Sequence, residues 1–200
     1  VNAPKKNRPL PYFVREGDLD RLLDDMEFPD TYEGRRDKVI VTMLYSTGMR
    51  AAELIGLDVT DVNMRESLVS VIGKRNKQRL IPMVPELHDG LTAYLAERER
   101  LLSDVAENQA LFLDAGTCKR ISYAKLRVLV RDALAKVTMQ SKRSPHVLRH
   151  SFATSMLNHS ADLQSVKELL GHESLKTTAI YTHTTFEELK KMYNQAHPRA

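Results

Sequence analysis

One short stretch limits the fold more than any other. Residues 67–84, SLVSVIGKRNKQRLIPMV, hold two Val/Ile/Leu-rich runs joined by a polar, basic turn at Lys74–Gln78, the pattern of a β-hairpin. Most of the chain around it is punctuated for helices instead, with apolar residues at the 3.6-residue repeat and caps between them. The expected fold is therefore mainly α with a small antiparallel β-sheet, an α+β domain. ALFLD, at residues 110–114, reads as a second brief strand. With 200 residues and 42% hydrophobic content, the chain can bury a core in one domain, with or without a short arm.

The helical segments follow from their apolar spacing and end signals. REGDLDRLLDDM carries Leu19, Leu22 and Leu23, and a buried-looking helix runs from Asp37 to Tyr45 before a break at Gly48. A second short helix carries Arg50, Glu53 and Leu54. Leu87, Leu91, Tyr94 and Leu95 share one side of the segment after the hairpin, and Ser122 caps SYAKLRVLVRDALAKV. Gly171 closes DLQSVKELLGH, Ser174 starts SLKTTAIYTH, and Thr185 with Glu188 forms a capping box for FEELKKMYNQA. The Pro- and Lys/Arg-rich first 14 residues suit an extended arm or linker.

SPHVLRHSFATSMLNHS, residues 144–160, carries its charge in an unusual place. Ser144 suits the N-cap and Pro145 the first helical position. Leu148, Phe152 and Met156 make an apolar stripe, and His146, Arg149 and His150 lie on the adjacent one. That second stripe continues into Ala153 and Leu157, expected to be buried, which leaves Val147, Ser151 and Thr154 for solvent. Two imidazoles and a guanidinium thus stand at the edge of the core.

Composition excludes several classes. A net charge of +4 and a pI near 9.1 fit either a polyanion partner or the basic surface of an ordinary enzyme. Cys118 is the only cysteine, so there is no disulfide framework and no thiolate cluster, which suits a reducing cytoplasm. No apolar run approaches a membrane span, and the start lacks a signal-peptide core; a soluble, cytoplasmic protein is expected. Neither a G-x-x-x-x-G-K-[ST] loop nor a G-x-G-x-x-G turn is present, so no nucleotide cofactor is expected. His146 and His150 have zinc-ligand spacing, but Val147 replaces the catalytic Glu of H-E-x-x-H and Arg149 would set a cation beside the metal. No metal site is expected, since no carboxylate cluster for a two-metal centre stands out either.

Five places hold a cation or a nucleophile, and each has an ordinary explanation alone. Arg50 could be a solvated arginine, and Lys74, Arg75, Lys77 and Arg79 a basic hairpin that protects a sheet edge. His146 and Arg149 could be a hydrogen-bonded core pair, His172 a helix-dipole partner, and Tyr181 a core aromatic. Together, and in order, TGMRAAELIGL, VIGKRNKQRLIPM, SPHVLRHSFATSMLNHSADLQSVKELLGH and LKTTAIYTH resemble the signature boxes of the tyrosine site-specific recombinases and integrases, most closely the Xer-like branch. The resemblance runs from about Arg8 to the ending AHPRA.

The resemblance implies the tyrosine recombinase catalytic-domain fold and a DNA strand transferase that cuts and rejoins DNA through a 3′-phosphotyrosyl intermediate. It places Arg50 and Arg149 on the scissile phosphate and makes Lys74 the hairpin lysine. His146 is the histidine before the second arginine, His172 that of the LGH box, and Tyr181 the nucleophile. Glu53 and His150 take supporting roles, and DNA contacts are expected at Arg75, Lys77, Arg79, Lys119, Arg120, Lys142 and Arg143. The chemistry agrees. Two guanidiniums match the charge that develops on the nonbridging oxygens, a neutral imidazole can take the phenol proton, and a lysine can protonate the leaving 5′-oxygen. A covalent intermediate preserves the phosphoester energy, so neither ATP nor metal is needed.

The implied organisation is an interdomain linker at residues 1–14, a catalytic domain at 15–183, and a C-terminal helix and tail at 184–200 that passes between protomers. The family's N-terminal core-binding domain is expected to be absent from this chain. Implied partners are a double-stranded DNA recombination site, three further protomers or a paralogous recombinase in a tetramer, and, as in some Xer systems, a cell-division DNA translocase. The biology would be chromosome dimer resolution or mobile-element integration and excision. A type IB topoisomerase and a non-catalytic DNA-binding regulator are the alternatives; the LGH box and the ending disfavour the first, the six catalytic-type residues the second.

Overall fold

The computed structural model describes residues 12–102, 108–171 and 183–200. Eight α-helices lie among the described residues: α1 (Glu16–Asp20), α2 (Tyr32–Thr47), α3 (Ala51–Gly56), α4 (Pro85–Leu101), α5 (Tyr123–Ala135), α6 (Pro145–Asn158), α7 (Leu163–Leu170) and α8 (His183–Ala196). One antiparallel sheet, in the order β1-β2-β3, joins β1 (Val62–Asn63), β2 (Leu68–Ile72) and β3 (Gln78–Pro82). This is the mainly α domain with a small sheet that the hairpin signal implied. The register pairs Ser70 with Leu80 and Ile72 with Gln78, so Val69, Val71 and Ile81 enter the core. The turn carries Arg75 and Asn76 at φ of 58° and 59°, two successive left-handed residues whose twist matches that of the strands.

Helix α2 is the axis of the domain. Thr31 caps it by accepting a hydrogen bond from the Gly34 N–H at 3.1 Å, and Val39–Thr47 are buried throughout, which fits a helix enclosed by α4, α5 and α6. It stops at Gly48, where φ is +63° and a Cβ would stand 2.3 Å from Phe152 Cδ1. Only glycine permits both that backbone and that closeness of α6. The chain therefore leaves α2 and presents Arg50 directly beside α6.

Three expectations change. ALFLD forms no strand; it makes isolated bridges, Ala110 with Asp58 and Leu113 with Arg120, while Leu111, Phe112 and Leu113 fill the core. Helix α8 begins at His183, ahead of the start at Phe186 expected from a Thr185 cap. On α6, Val147 and Ser151 are buried and Leu157 is 42% exposed, the reverse of the assignment from periodicity. The cause is the segment that leads into α1. Ser151 Oγ accepts from the Val14 N–H at 2.8 Å and donates to the Val147 carbonyl, and Ser155 Oγ donates to Glu16. A fully bonded hydroxyl is buried at little cost. Ser144 occupies the N-cap position of α6, with Pro145 next, but makes no side-chain capping bond.

The C-terminal segment packs against its own domain. Leu189, Tyr193 and Ala196 are buried, Tyr193 Oη donates to the Ser46 carbonyl at 2.7 Å, and the His197 ring stacks on Tyr193. Arg199 then holds Asp20, Asp24 and Glu86 at 2.5–2.9 Å. The expected helix at SLKTTAIYTH and the arm at residues 1–11 lie outside the described residues. Among the described residues no helix is long and apolar enough to cross a membrane.

Candidate active site

Four side chains from three parts of the sequence meet where α2, α6, α7 and the hairpin converge. Arg149, 8% exposed, donates from Nη1 to the Gly48 carbonyl at 2.5 Å and from Nη2 to the Leu170 carbonyl at 2.8 Å. One fork thus joins the end of α2 to the last turn of α7. Arg50 stands at the N-cap of α3, with its backbone N–H on Glu53 Oε2 at 2.8 Å and its Nη1 on Glu53 Oε1 at 2.9 Å. Its side chain stays about a quarter exposed, so one guanidinium edge is held while the group still reaches the surface.

Glu53 is the hub of this cluster. Arg79 reaches both of its oxygens, Nη1 to Oε1 at 3.0 Å and Nη2 to Oε2 at 2.8 Å, and donates from Nε to the Leu169 carbonyl at 2.8 Å. Burial alone would raise the Glu53 pKa, but hydrogen bonds from Arg79 and the Arg50 backbone, with the Arg79 charge, hold it below the usual range. One carboxylate is therefore held by two guanidiniums, within reach of the Arg149 charge. Burial first, then the neighbouring Arg50 charge, lower the Arg149 pKa to about 10, so it stays charged at neutral pH. The cluster is cationic, partly buried and fixed by hydrogen bonds, which is the arrangement a phosphate needs.

His146 and His150 lie exposed on α6, next to the buried Arg149. Burial, then the His146 and Arg149 charges, lower the His150 pKa, which favours a neutral imidazole. The stripe that periodicity placed at the core edge is thus divided: the arginine turns inward to the cluster and both histidines stay open. Lys74 sits on the hairpin turn, on backbone hydrogen-bonded between the Gly73 N–H and the Lys77 carbonyl. His172 and Tyr181 lie outside the described residues; Gly171, with φ +66°, ends α7 one residue before His172.

The residues expected on DNA separate into groups. Lys77, Lys119 and Lys142 are exposed, Lys142 lying over the Tyr12 ring at 4.8 Å, and Arg75 is exposed on the turn. Arg143 is half-buried. Arg120 binds inward to the Ile55 and Leu57 carbonyls and to Asp58. Arg79, with a side chain 8% exposed, is turned wholly into the cluster. Strand alternation places it on the inward face, opposite buried Val71 and two residues before buried Ile81, but does not show that Glu53 is its partner there.

Among the described residues no group of three or more His, Cys, Asp and Glu is placed to hold a metal ion. An open cleft of about 570 Å³, lined by Phe28, Asp37, Val128 and Lys136 among others, lies at the other end of α2. A 16-residue helix separates it from Arg50 by roughly 24 Å, so it takes no part in this cluster.

Comparison with known proteins shows the family. Residues 13–188 match the model of the phage integrase family. The whole chain is 43% identical to tyrosine recombinase XerC of Pelotomaculum thermopropionicum, over 66% of that protein's length, and 38% identical to tyrosine recombinase XerD of Staphylococcus epidermidis, over 67% of its length. The chain thus spans about two-thirds of the curated relatives it matches. Among solved structures, XerA recombinase superposes with a TM-score of 0.71 at 34% identity, covering 95% of this chain and 66% of that one. XerH bound to its difH substrate before cleavage gives 0.72 at 26% identity, covering 93% and 55%.

Proposed function

The chain belongs to the phage integrase family of tyrosine recombinases, and from that premise we propose that it is a Xer-type catalytic domain that cuts and rejoins DNA at a specific site. Tyr181 Oη attacks the scissile phosphorus, a phosphotyrosyl bond to the 3′ side forms, and the bond to the 5′-oxygen breaks. Arg50 and Arg149 bind the nonbridging oxygens, His146 takes the phenol proton, Lys74 protonates the departing oxygen and His172 donates a hydrogen bond to the phosphate. A free 5′-hydroxyl from a second strand reverses the step. Nothing is oxidised or hydrolysed, so no cofactor enters the balance.

The observation that carries this reading is the cluster itself. Two guanidiniums from sequence positions 99 apart converge through Glu53, Gly48 and Leu170 on one edge of the domain, with His146 beside them. A cationic edge whose carboxylate, Glu53, is already held by Arg50 and Arg79 is suited to a phosphodiester. XerH was solved on a DNA recombination site, and the same substrate class is proposed here. The reading extends to a tetramer on DNA, formed with copies of this chain or with a paralogous recombinase, in which residues 184–200 exchange between protomers. A cell-division DNA translocase is the proposed activator, and the cytoplasm the proposed compartment.

A nicked suicide duplex, carrying a site selected by binding from a random pool, tests the reading on a denaturing gel. A covalent protein–DNA adduct that is insensitive to chelator and absent for Tyr181→Phe is expected. An adduct that persists in Tyr181→Phe, or that requires magnesium, would overturn it.

A further inference from the structure

We propose that Arg79 is a positioning residue for strand cleavage rather than a DNA contact: its bidentate pair with Glu53 fixes the hairpin, the end of α7 and Arg50 in one register. The inference rests on the recombinase reading above. A hairpin cation has every reason to face a polyanion, yet this one is almost wholly covered and donates at three points, to both Glu53 oxygens and to the Leu169 carbonyl. Its neighbours explain why. A Cβ on Gly73 would lie 3.3 Å from Arg79 Nη1 and 3.4 Å from Glu53 Oε1. A Cβ on Gly171 would lie 3.0 Å from the same Nη1 and 3.2 Å from Cζ.

The ion pair is therefore wedged between the residue before Lys74 and the residue before His172, and one of its partners also holds Arg50 by backbone and side chain. Three of the groups assigned to the reaction depend on this contact: Arg50 directly, Lys74 through the adjoining Gly73, and Arg149 through the Leu170 carbonyl, next to the one that Arg79 holds. No atom of Arg79 needs to touch DNA for this. Lysine keeps the charge but cannot hold two carboxylate oxygens and a carbonyl at once. A preorganised site loses rate when such supports loosen, even with every reacting group in place.

The test measures single-turnover cleavage of the suicide duplex at saturating DNA, the DNA dissociation constant and the thermal melt, for wild type, Arg79→Lys and Gly73→Ala. The second variant displaces the pair by a few tenths of an ångström without changing charge, so the inference does not depend on Arg79→Lys folding. The expected result is a fall of about 30-fold or more in saturating cleavage rate for Arg79→Lys and several-fold for Gly73→Ala. DNA affinity should stay within about threefold and folding should persist at the assay temperature. Affinity that falls by tenfold or more with an unchanged saturating rate would make Arg79 a DNA contact and overturn the inference. Unchanged cleavage in both variants would overturn it as well. Failure of the wild type to form any adduct would instead refute the recombinase reading, which separates the two.

Discussion

Replacing Glu53 with Gln keeps the shape of the cluster's hub and removes its charge, so the consequences can be worked out from the hydrogen bonds. Glu53 accepts four, from Arg79 Nη1 and Nη2 and from the Arg50 backbone and Nη1. The Arg50 side-chain share is small, because that guanidinium is about a quarter exposed and screened by solvent. The Arg79 share is not, since both partners are under 10% exposed. Removing one member of a buried pair leaves the other uncompensated, at about 3–5 kcal/mol. An amide would also direct two N–H donors at guanidiniums that only donate. Urea unfolding at pH 7 should therefore show Glu53→Gln less stable by about 3–5 kcal/mol. The pH dependence gives a second check. The folded carboxyl titrates below its ordinary value of 4.5, so its stabilisation is complete above that pH and is lost as pH falls through the folded value. The gap between the two proteins should narrow in acid. A difference below about 1 kcal/mol at neutral pH, or one that is constant down to acid, would refute the idea of a buried charged hub.

Other outcomes follow from the same structure. Gly48→Ala should cost about 2–5 kcal/mol in denaturant unfolding, the sum of a left-handed backbone and a Cβ driven into Phe152 and Leu170. His197 is pushed down to about 3, first by burial and then by the Arg199 charge. Its unfolded form binds a proton near pH 6.5 that the folded form refuses, so stability falls as pH drops below that value. The loss by pH 5 is about 2 kcal/mol, and it should be missing from His197→Phe in unfolding curves taken at pH 7 and pH 5. Arg149→Lys retains charge but cannot hold the Gly48 and Leu170 carbonyls together, and its saturating cleavage rate should fall by about 10²–10³-fold in the suicide-duplex assay.

The legibility of the sequence varied with the kind of signal. Some helix ends were plain in the sequence: Ser122 accepts its capping bond, and Gly48 and Gly171 take left-handed backbone, whereas Ser144 makes no side-chain cap and the capping bonds at Thr31 and Asp162 were not read. The hairpin was equally plain, because β-branched alternation has few other readings. Two-residue β1 carries no such pattern, and ALFLD carries a strand's composition while lacking a partner strand. At the site, the residue types were visible and their directions were not. Ser151 looked like a solvent residue until Val14 covered it, and Arg79 looked like Lys77 until Glu53 took both of its terminal nitrogens. Both cases involve contacts between residues far apart in sequence, which no local pattern can encode.

The central claim, that Tyr181 becomes covalently joined to the 3′ side of a cut strand, is tested most directly by mass spectrometry of the trapped adduct. Trypsin cutting after Lys176 and Lys190 releases residues 177–190, in which Tyr181 is the sole tyrosine. The expected product is that peptide carrying a nucleotide through its 3′-phosphate, with a free 5′-hydroxyl on the released strand. A nucleotide on any other peptide, or a 5′-phosphate link at this one, would contradict the account.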